Sequence, residues 1–146
     1  MNDIDKILYA EDSDNDIELI LAAFEECKLV NPVDVVKDGV EALDYLFYRG
    51  KYNHRKKETP IFILLDLKMP RLDGIEVLKE IKKSKDYKKI PVIILTSSEM
   101  ESDIIKSYEL GANGFVVKPI DFIKFIDAIK SLGLFWATVN KSPNRL

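Results

Sequence analysis

Residues 61–74 read IFILLDLKMPRLDG. The apolar run Ile61–Leu65 stops at Asp66, and Pro70 and Gly74 follow before an amphipathic segment begins. A short run of apolar and β-branched residues between polar and turn-forming residues is typical of a buried β-strand. The stretch therefore predicts a strand that presents an aspartate at its carboxyl end.

Four similar runs lie elsewhere in the chain, and longer amphipathic segments separate them. The five predicted strands are Lys6–Ala10, Val33–Val36, Ile61–Leu65, Val92–Leu95 and Phe115–Val117. The separating segments carry apolar residues at the spacing of one helical face. These residues are Ile17, Ile20, Leu21 and Phe24 in the first segment, Val40, Leu43 and Phe47 in the second, Ile75, Leu78 and Ile81 in the third, and Phe122, Ile126 and Ile129 in the last. A fourth helix, about Glu99–Leu110, has the weakest apolar stripe.

Local chemistry marks several helix ends. Asp73 and Asp121 are predicted N-caps, because a carboxylate can accept a hydrogen bond from an unpaired amide of the first turn. Ser98 and Glu101 have the spacing of a capping box, in which each side chain pairs with a backbone N–H. The left-handed residues that end helices are expected to be Gly50 and Gly111.

Five strands that alternate with five helices predict an α/β fold, a doubly wound parallel sheet with helices on both faces. Right-handed crossovers favour the flavodoxin-like strand order 2-1-3-4-5, which opens a crevice at the carboxyl ends of strands one and three. The 146 residues suit a single domain. Its core is expected over about residues 4–132, followed by a short extension over residues 133–146. An unusually polar connection, Arg49–Pro60, precedes strand three.

Composition limits the classes of partner. The formal charge is −3, from 22 basic and 25 acidic residues, so no overall basic field would hold nucleic acid or an anionic membrane. The longest apolar runs are far too short to span a bilayer. The amino terminus does not have the pattern of a signal peptide, and the single cysteine, Cys27, is interpreted as a packing residue. We therefore expect a cytoplasmic protein.

Polar residues follow four of the predicted strands, and parallel strands bring these ends to one edge of the sheet. Glu11 and Asp12 follow strand one, and the other ends carry Asp66, Thr96 and Lys118. Carboxylates so close together repel each other unless a proton or a cation compensates them. Oxygen ligands suit Mg²⁺, and Zn²⁺ is disfavoured because the only histidine lies in the polar connection. The backbone carbonyl of Lys68 is expected to complete the metal shell.

With a metal present, Asp66 can act as a carboxylate nucleophile towards a phosphoryl group. Mg²⁺ would neutralise one phosphoryl oxygen, the Lys118 ammonium a second, and the Thr96 hydroxyl would donate to a third. Taken singly, each of these residues is more readily explained as a cap for the following helix. The four strand ends taken together favour a site that accepts a phosphoryl group.

Four segments of the chain resemble the signature blocks of response-regulator receiver domains of two-component signalling. They are ILYAEDSDND, ILLDLKMPRLDG, VIILTSS and GANGFVVKPI, and they occur in the family's order and separations over about residues 4–132. The resemblance implies that Asp66 is the phosphorylation site and Asp12 the principal metal-binding acid. Glu11 matches its acidic partner, and here the sequence departs from the family's usual pair of aspartates.

The resemblance also implies a two-state switch. Thr96 and Lys118 match the residues that follow the phosphoryl group, and Phe115 matches an aromatic that changes rotamer with Thr96. The face formed by helix four, strand five and helix five then changes shape, because phosphorylation biases an existing equilibrium. In relatives, the bond that corresponds to Lys118–Pro119 is cis.

The resemblance implies protein partners rather than substrates. A sensor histidine kinase or a phosphotransfer protein would supply the phosphoryl group, and a downstream protein would read the switched face. The short region after helix five predicts a stand-alone receiver without an organic cofactor, similar to regulators paired with bacterial phytochrome-type kinases. An apolar tail either packs on the same domain or forms a homodimer contact. Its residues are Leu132, Leu134, Phe135, Trp136 and Val139.

Three alternatives remain open at this point. A phosphohydrolase of the haloacid dehalogenase type needs a second aspartate two residues after the nucleophile, where this chain has Lys68. A flavodoxin-like cofactor binder needs a neutral, donor-rich loop after strand one, where this chain has acidic residues. A pseudo-receiver would share the fold and act by contact without phosphorylation.

Overall fold

The computed structural model describes residues 6–26, 29, 31–97, 101–119 and 121–131. Strands and helices alternate along the chain. The strands are β1 (Ile7–Ala10), β2 (Val33–Val36), β3 (Phe62–Asp66), β4 (Val92–Thr96) and β5 (Gly114–Val117). The helices are α1 (Asp14–Glu26), α2 (Gly39–Leu46), α3 (Gly74–Lys83), α4 (Glu101–Glu109) and α5 (Phe122–Ser131), with a short 3-10 helix at Gly50–Tyr52. Predicted and observed strands differ by one residue at some ends, and α4 ends one residue before the predicted Leu110.

The five strands form one parallel sheet in the order β2-β1-β3-β4-β5, which confirms the predicted fold. The register pairs Ala10 of β1 with Leu65 of β3. The next residue of β3, Asp66, pairs with Leu95 of β4. The strands therefore end at nearly the same level, and the residues that follow them share one edge of the sheet.

Alternate residues of each strand supply two apolar cores, one on each face of the sheet. Leu8 and Ala10 face the core that contains α2 and α3, whereas Ile7 and Tyr9 face the core that contains α1 and α5. Burial of one large apolar side chain contributes about 2 kcal/mol, so the two faces together fix the positions of the strand ends.

Two predicted helical faces are corrected by the packing. Phe125 is fully buried against α1, whereas Phe122, which the predicted stripe of α5 included, is 38% exposed. Leu21 of α1 is likewise exposed, and Ala23 is buried on that helix. In each helix, the predicted apolar face is rotated about the helix axis relative to the observed one. A shift of one residue is enough, because neighbouring helical residues point about 100° apart. The side chain of Ile129 lies outside the described part of the chain.

The predicted N-caps are confirmed. The Asp73 carboxylate accepts a hydrogen bond from the Glu76 amide, and Asp121 accepts one from the Lys124 amide, each at 3.0 Å. The sequence interpretation missed Asp38, which caps α2 by accepting from the Glu41 amide at 2.7 Å.

One of the two predicted left-handed helix ends is correct. Gly111 has φ +100° after α4. After α2, however, Tyr48 takes the left-handed position with φ 59°, and the Arg49 amide donates to the Asp44 carbonyl at 2.9 Å. Gly50, with φ 55°, instead begins the 3-10 helix. The Tyr48 ring contacts Arg55 and Lys57 of the connection, although glycine would adopt this backbone conformation more readily.

Three interpretations fall outside the described residues: the packing role of Cys27, the capping box at Ser98, and the apolar tail from Leu132 onward. Among the helices that the structure describes, none combines the length and the apolarity that a membrane span needs.

Candidate functional site

The carboxyl edge of the sheet collects the residues that the sequence placed at strand ends. Glu11 and Asp12 follow β1, Asp66 ends β3, Thr96 ends β4 and Lys118 follows β5. Glu11 and Thr96 are fully buried and Asp66 is 3% exposed, whereas Asp12 is open to solvent. Buried ionisable groups need compensating partners, so this edge of the sheet is the natural candidate for chemistry.

Three acids form a group with the dimensions of a cation site. Glu11, Asp12 and Asp66 each offer one carboxylate oxygen, and the three oxygens lie within 4.8 Å of one another. An oxygen-only donor set with one member exposed to solvent fits a hard divalent cation that keeps some of its water ligands. The residues present therefore fit Mg²⁺ better than a softer metal.

Lys118 compensates part of this negative charge. Its ammonium nitrogen lies 2.8 Å from Oε1 of Glu11, 2.9 Å from Oδ2 of Asp66 and 2.8 Å from Oδ2 of Asp16. Burial opposes the charged form of Lys118, but hydrogen bonds with Asp16, Glu11 and Asp66 raise its pKa above the ordinary value for lysine. Lys118 is thus a fixed positive charge among three carboxylates.

Asp16 is a site residue to which the sequence interpretation assigned no role. It lies in the first turn of α1, four residues after Asp12. Helical spacing was the available signal, since a residue one turn into a helix can face back towards the strand end that precedes the helix. The contact with Lys118 shows that Asp16 belongs to the polar cluster.

Glu11 has the most confined carboxylate of the cluster. Burial and the neighbouring Asp66 raise the pKa of Glu11 to about 7, against the lowering effect of Lys118. The Tyr9 hydroxyl donates to Oε1 at 3.2 Å, and the Ser13 amide donates to Oε2 at 3.3 Å. Three carboxylates, those of Glu11, Asp16 and Asp66, face the single ammonium of Lys118, so the lysine alone does not balance their negative charge.

The loop after β3 positions Asp66. The Lys68 amide donates to Oδ1 of Asp66 at 3.0 Å, while Oδ2 faces Lys118. Gly74 begins α3 so close to this loop that an added Cβ would lie 2.3 Å from the Asp66 carbonyl oxygen. Only glycine fits there, because any side chain would push the start of α3 away from the end of β3. Lys68, whose carbonyl the sequence predicted as a metal ligand, belongs to this same loop.

A cleft of about 190 Å³ continues from this loop to α4. Across it, the Lys68 ammonium lies 3.8 Å from Oδ2 of Asp103. This ion pair is half open to solvent and contributes little on its own, but it connects the loop after β3 to α4. The cleft is lined by Leu67, Lys68, Asp73, Ile75, Glu76, Asp103 and Lys106.

The two residues assigned to the switch lie on neighbouring strands. On β4, Leu95 is the register partner of Asp66, and Thr96 is the next residue. The Lys118 amide donates to the Thr96 carbonyl at 2.8 Å. Phe115 is partly buried against the core on the α2 and α3 side of the sheet. The Lys118–Pro119 bond is cis, as the resemblance implied.

Comparison with known proteins now decides the family. The family model of the response regulator receiver domain matches residues 7–130. This chain belongs to that family. Membership makes it a signalling protein and rules out the haloacid dehalogenase and flavodoxin-type alternatives.

Several proteins similar to this chain are phytochrome-associated response regulators. Response regulator Rcp1 from Synechocystis sp. is 36% identical over 130 residues, which are 89% of this chain and 87% of Rcp1. The Mn²⁺-bound form of Rcp1 has a TM-score of 0.80 at 34% identity, covering 95% of this chain and 99% of that one.

Two further solved structures are similar over nearly the whole chain. The bacteriophytochrome response regulator RtBRR is 50% identical with a TM-score of 0.85, covering 97% of this chain and 85% of that one. The phosphorylated cyanobacterial phytochrome response regulator RcpA is 37% identical with a TM-score of 0.80, covering 97% of this chain and 99% of that one. The similarity to these proteins confirms the subgroup that the sequence suggested.

Proposed function

We propose that this protein is a response regulator whose Asp66 accepts a phosphoryl group in the presence of Mg²⁺. The observation that carries the proposal is the position of Asp66. Its carboxylate is almost fully buried, forms a cation-sized group with Glu11 and Asp12, and has Oδ2 2.9 Å from the Lys118 ammonium. A buried carboxylate between a cation site and a lysine is suited to accept a charged electrophile.

In the proposed reaction, a carboxylate oxygen of Asp66 forms a bond to phosphorus as the bond from phosphorus to a histidine nitrogen of the donor breaks. Bound Mg²⁺ supplies positive charge for the phosphoryl oxygens, and Glu11, Asp12, Asp66 and the Lys68 carbonyl would hold it. The Lys118 ammonium exchanges carboxylate contacts for a phosphoryl oxygen, and the Thr96 hydroxyl donates to another. The protein thus contributes mainly positioning and charge stabilisation.

Two relatives support these assignments by what their structures contain. Rcp1 has been solved with Mn²⁺ bound, a hard divalent cation that accepts the oxygen ligands found here. RcpA has been solved in a phosphorylated state. Both match this chain over at least 95% of its length, so an equivalent metal-assisted phosphorylation fits the acidic cluster of this protein.

The proposed output is a change in the face formed by α4, β5 and α5. Movement of Thr96 towards the phosphoryl group would make room for Phe115 to turn inward. Phe115 lies on β5, two residues before Val117, which is the register partner of Thr96. Phosphorylation can shift this equilibrium only by its differential interaction with the two states. The proposed donor is a sensor histidine kinase of the phytochrome type or a phosphotransfer protein, and the proposed readers are a downstream protein or a second copy of this chain.

The test is incubation of the whole chain with a small phosphodonor and Mg²⁺, followed by intact mass measurement. We expect one phosphoryl adduct that is stable in acid and labile in base. The adduct should be absent from Asp66→Asn and from samples with EDTA, and present in Asp44→Asn, an aspartate of α2 outside the site. If neither a small phosphodonor nor a cognate kinase produces the adduct, the chain is a pseudo-receiver and the proposal is wrong.

A further inference from the structure

Tyr9 of β1 places a hydroxyl group where the fold alone would need only an apolar side chain. The residue is fully buried in the core between the sheet, α1 and α5. Its neighbours there include Ile20, Phe24 and Phe125. Its hydroxyl donates to Oε1 of Glu11 at 3.2 Å. A buried hydroxyl is unfavourable unless it is hydrogen-bonded, so the pairing with Glu11 gives this tyrosine a specific role.

The strand geometry explains why Tyr9 reaches this acid. Residues two apart in a strand point to the same face of the sheet, so Tyr9 and Glu11 share a side. Glutamate is one methylene longer than aspartate and has an additional torsion to fix. Because Glu11 is fully buried, its carboxylate orientation is set by protein groups rather than by bulk solvent.

The partners of Glu11 differ in how permanent they are. Lys118 contacts both carboxylate oxygens of Glu11, but it also contacts Asp66 and Asp16. Under the proposed function, Lys118 leaves part of these contacts for the phosphoryl group. Tyr9 is neutral, and its ring is held by the core, so its hydrogen bond persists when Lys118 moves.

We infer that Tyr9 is a positioning residue that fixes the Glu11 carboxylate for the divalent cation. The inference rests on the proposed function, because it concerns the metal site of that reaction. Tyr9 does not touch the metal. It orients an acidic ligand from behind, and outer partners of this kind typically change metal affinity 10–100-fold.

The experiment measures Mg²⁺ affinity by calorimetry, and Mn²⁺ affinity by electron paramagnetic resonance, on the whole chain. Tyr9→Phe removes one oxygen atom and keeps the ring in the core. We expect its Kd for both ions to rise about tenfold relative to the unmodified protein. An unchanged Kd in a Tyr9→Phe protein that is folded by circular dichroism would overturn the inference.

Tyr45→Phe is the matched control. Tyr45 is also a buried tyrosine, and its hydroxyl donates to a carboxylate oxygen of Asp34 at 2.6 Å, outside the acidic cluster. Both variants lose a hydrogen bond of the same kind and should unfold at a lower temperature in EDTA. Only Tyr9→Phe should lose metal affinity. An equal loss of metal affinity in Tyr45→Phe would mean that lowered protein stability weakens metal binding in general, and it would refute the positioning role.

A second arm uses the length of Glu11. Glu11→Asp withdraws the carboxylate from the Tyr9 hydroxyl, so adding Tyr9→Phe to Glu11→Asp should change Kd by less than about twofold. Residues that act through one contact are non-additive in this way. A further tenfold loss in the double variant would contradict the inference. Failure of the unmodified protein to bind either ion would instead contradict the proposed function, so the two failures are distinguishable.

Discussion

Lys118 and Arg55 are two partly buried cations that the chain holds by different means. Lys118 lies at the carboxyl edge of the sheet, 2.8–2.9 Å from carboxylate oxygens of Glu11, Asp16 and Asp66. Its side chain is 12% exposed. The surrounding negative charge exceeds the charge of the lysine, so part of it is available for another cation.

Arg55 lies in the polar connection between α2 and β3, among aromatic rings and carbonyl oxygens. The centre of its guanidinium group is 4.0 Å from the Tyr45 ring centroid and 4.4 Å from that of Tyr48. Its Nε donates to the Tyr45 carbonyl at 2.9 Å, and Nη1 donates to the Glu58 carbonyl at 3.2 Å. The connection that the sequence marked only as polar is therefore packed against α2.

The difference shows which cation can take part in a switch. Contacts between Lys118 and carboxylates are charge interactions, so a metal or a phosphoryl group that enters the site competes for the same partners. Contacts between Arg55 and ring faces depend on a fixed geometry and on no exchangeable anion. The region of Lys118 should respond to Mg²⁺ and phosphorylation, and the region of Arg55 should not.

Lys118→Ala is expected to have the largest effect on this contrast. Three carboxylates lose their cation, and removal of one partner from a buried charge cluster costs about 3 kcal/mol. Urea unfolding in EDTA should show that loss, and Mg²⁺ should restore part of it, because the ion replaces the missing positive charge. The variant should also give little phosphoryl adduct in the mass assay, while Mg²⁺ binding remains measurable by calorimetry. Complete loss of Mg²⁺ affinity would mean that Lys118 helps to build the metal site itself.

The acids around Lys118 should also differ from one another. Asp12 belongs to the group of three acids that could hold a cation, whereas Asp16 is not a member of that group and contacts Lys118. Asp12→Asn should therefore weaken Mg²⁺ binding at least about tenfold, and Asp16→Asn should change it by less than about threefold. Calorimetric titration of the two single variants compares them directly. Equal losses would place Asp16 among the metal ligands.

The sequence predicted the fold well because its signals were local and repeated. Each strand is a short apolar run that stops at a polar residue, and the run Phe62–Asp66 illustrates this most clearly. The convergence of Glu11, Asp66 and Lys118 followed from the parallel arrangement alone, since strand ends meet whatever the details of packing. The meeting of these residues at one edge could therefore be predicted without knowledge of any side-chain conformation.

The features that the sequence did not predict depend on side-chain direction. The hydrogen bond from Tyr9 to Glu11 and the contact of Asp16 with Lys118 arise from particular rotamers. The left-handed conformation of Tyr48 is one that its residue type rarely adopts, and its ring contacts Arg55 and Lys57 of the connection. Helical periodicity also fixes an apolar face only to within about one residue, which is why Phe125 was not recognised as the anchor of α5.

Arg55→Ala tests the second half of the contrast. Loss of the ring contacts and of two hydrogen bonds to carbonyls should lower the free energy of unfolding by about 1 kcal/mol. The loss should be the same in EDTA and in Mg²⁺, because no exchangeable anion is involved. Lys57→Ala is the matched control, since its exposed ammonium lies 3.9 Å from the Tyr48 ring centroid, and its effect should be less than half as large. A loss that depends on Mg²⁺ would break the distinction between the two regions.

The smallest expected effect concerns Glu41, the acid that anchors the same connection. Burial alone would raise its pKa, but hydrogen bonds from the Tyr52 hydroxyl, the Lys37 amide and the Lys51 ammonium lower the pKa of Glu41 below its ordinary value of 4.5. A carboxylate with a lowered folded pKa stabilises the protein above about pH 4.5, and that contribution is lost as the pH falls through the folded pKa. Glu41→Gln removes this dependence.

Urea unfolding of both proteins between pH 7 and pH 3 measures the contribution of Glu41. The difference in unfolding free energy between the unmodified protein and Glu41→Gln should shrink by about 0.5 kcal/mol as the pH falls below 4.5. Glu80→Gln is the control, because it removes an exposed carboxylate of α3 and so measures the effect of losing one surface charge. The shrinkage should be unaffected by Mg²⁺, because the Glu41 partners Tyr52 and Lys51 belong to the connection, and the third partner, Lys37, is not one of the clustered acids. A Mg²⁺-dependent shrinkage would show that the connection senses the metal site, and the two cations would then have to be treated as one coupled system.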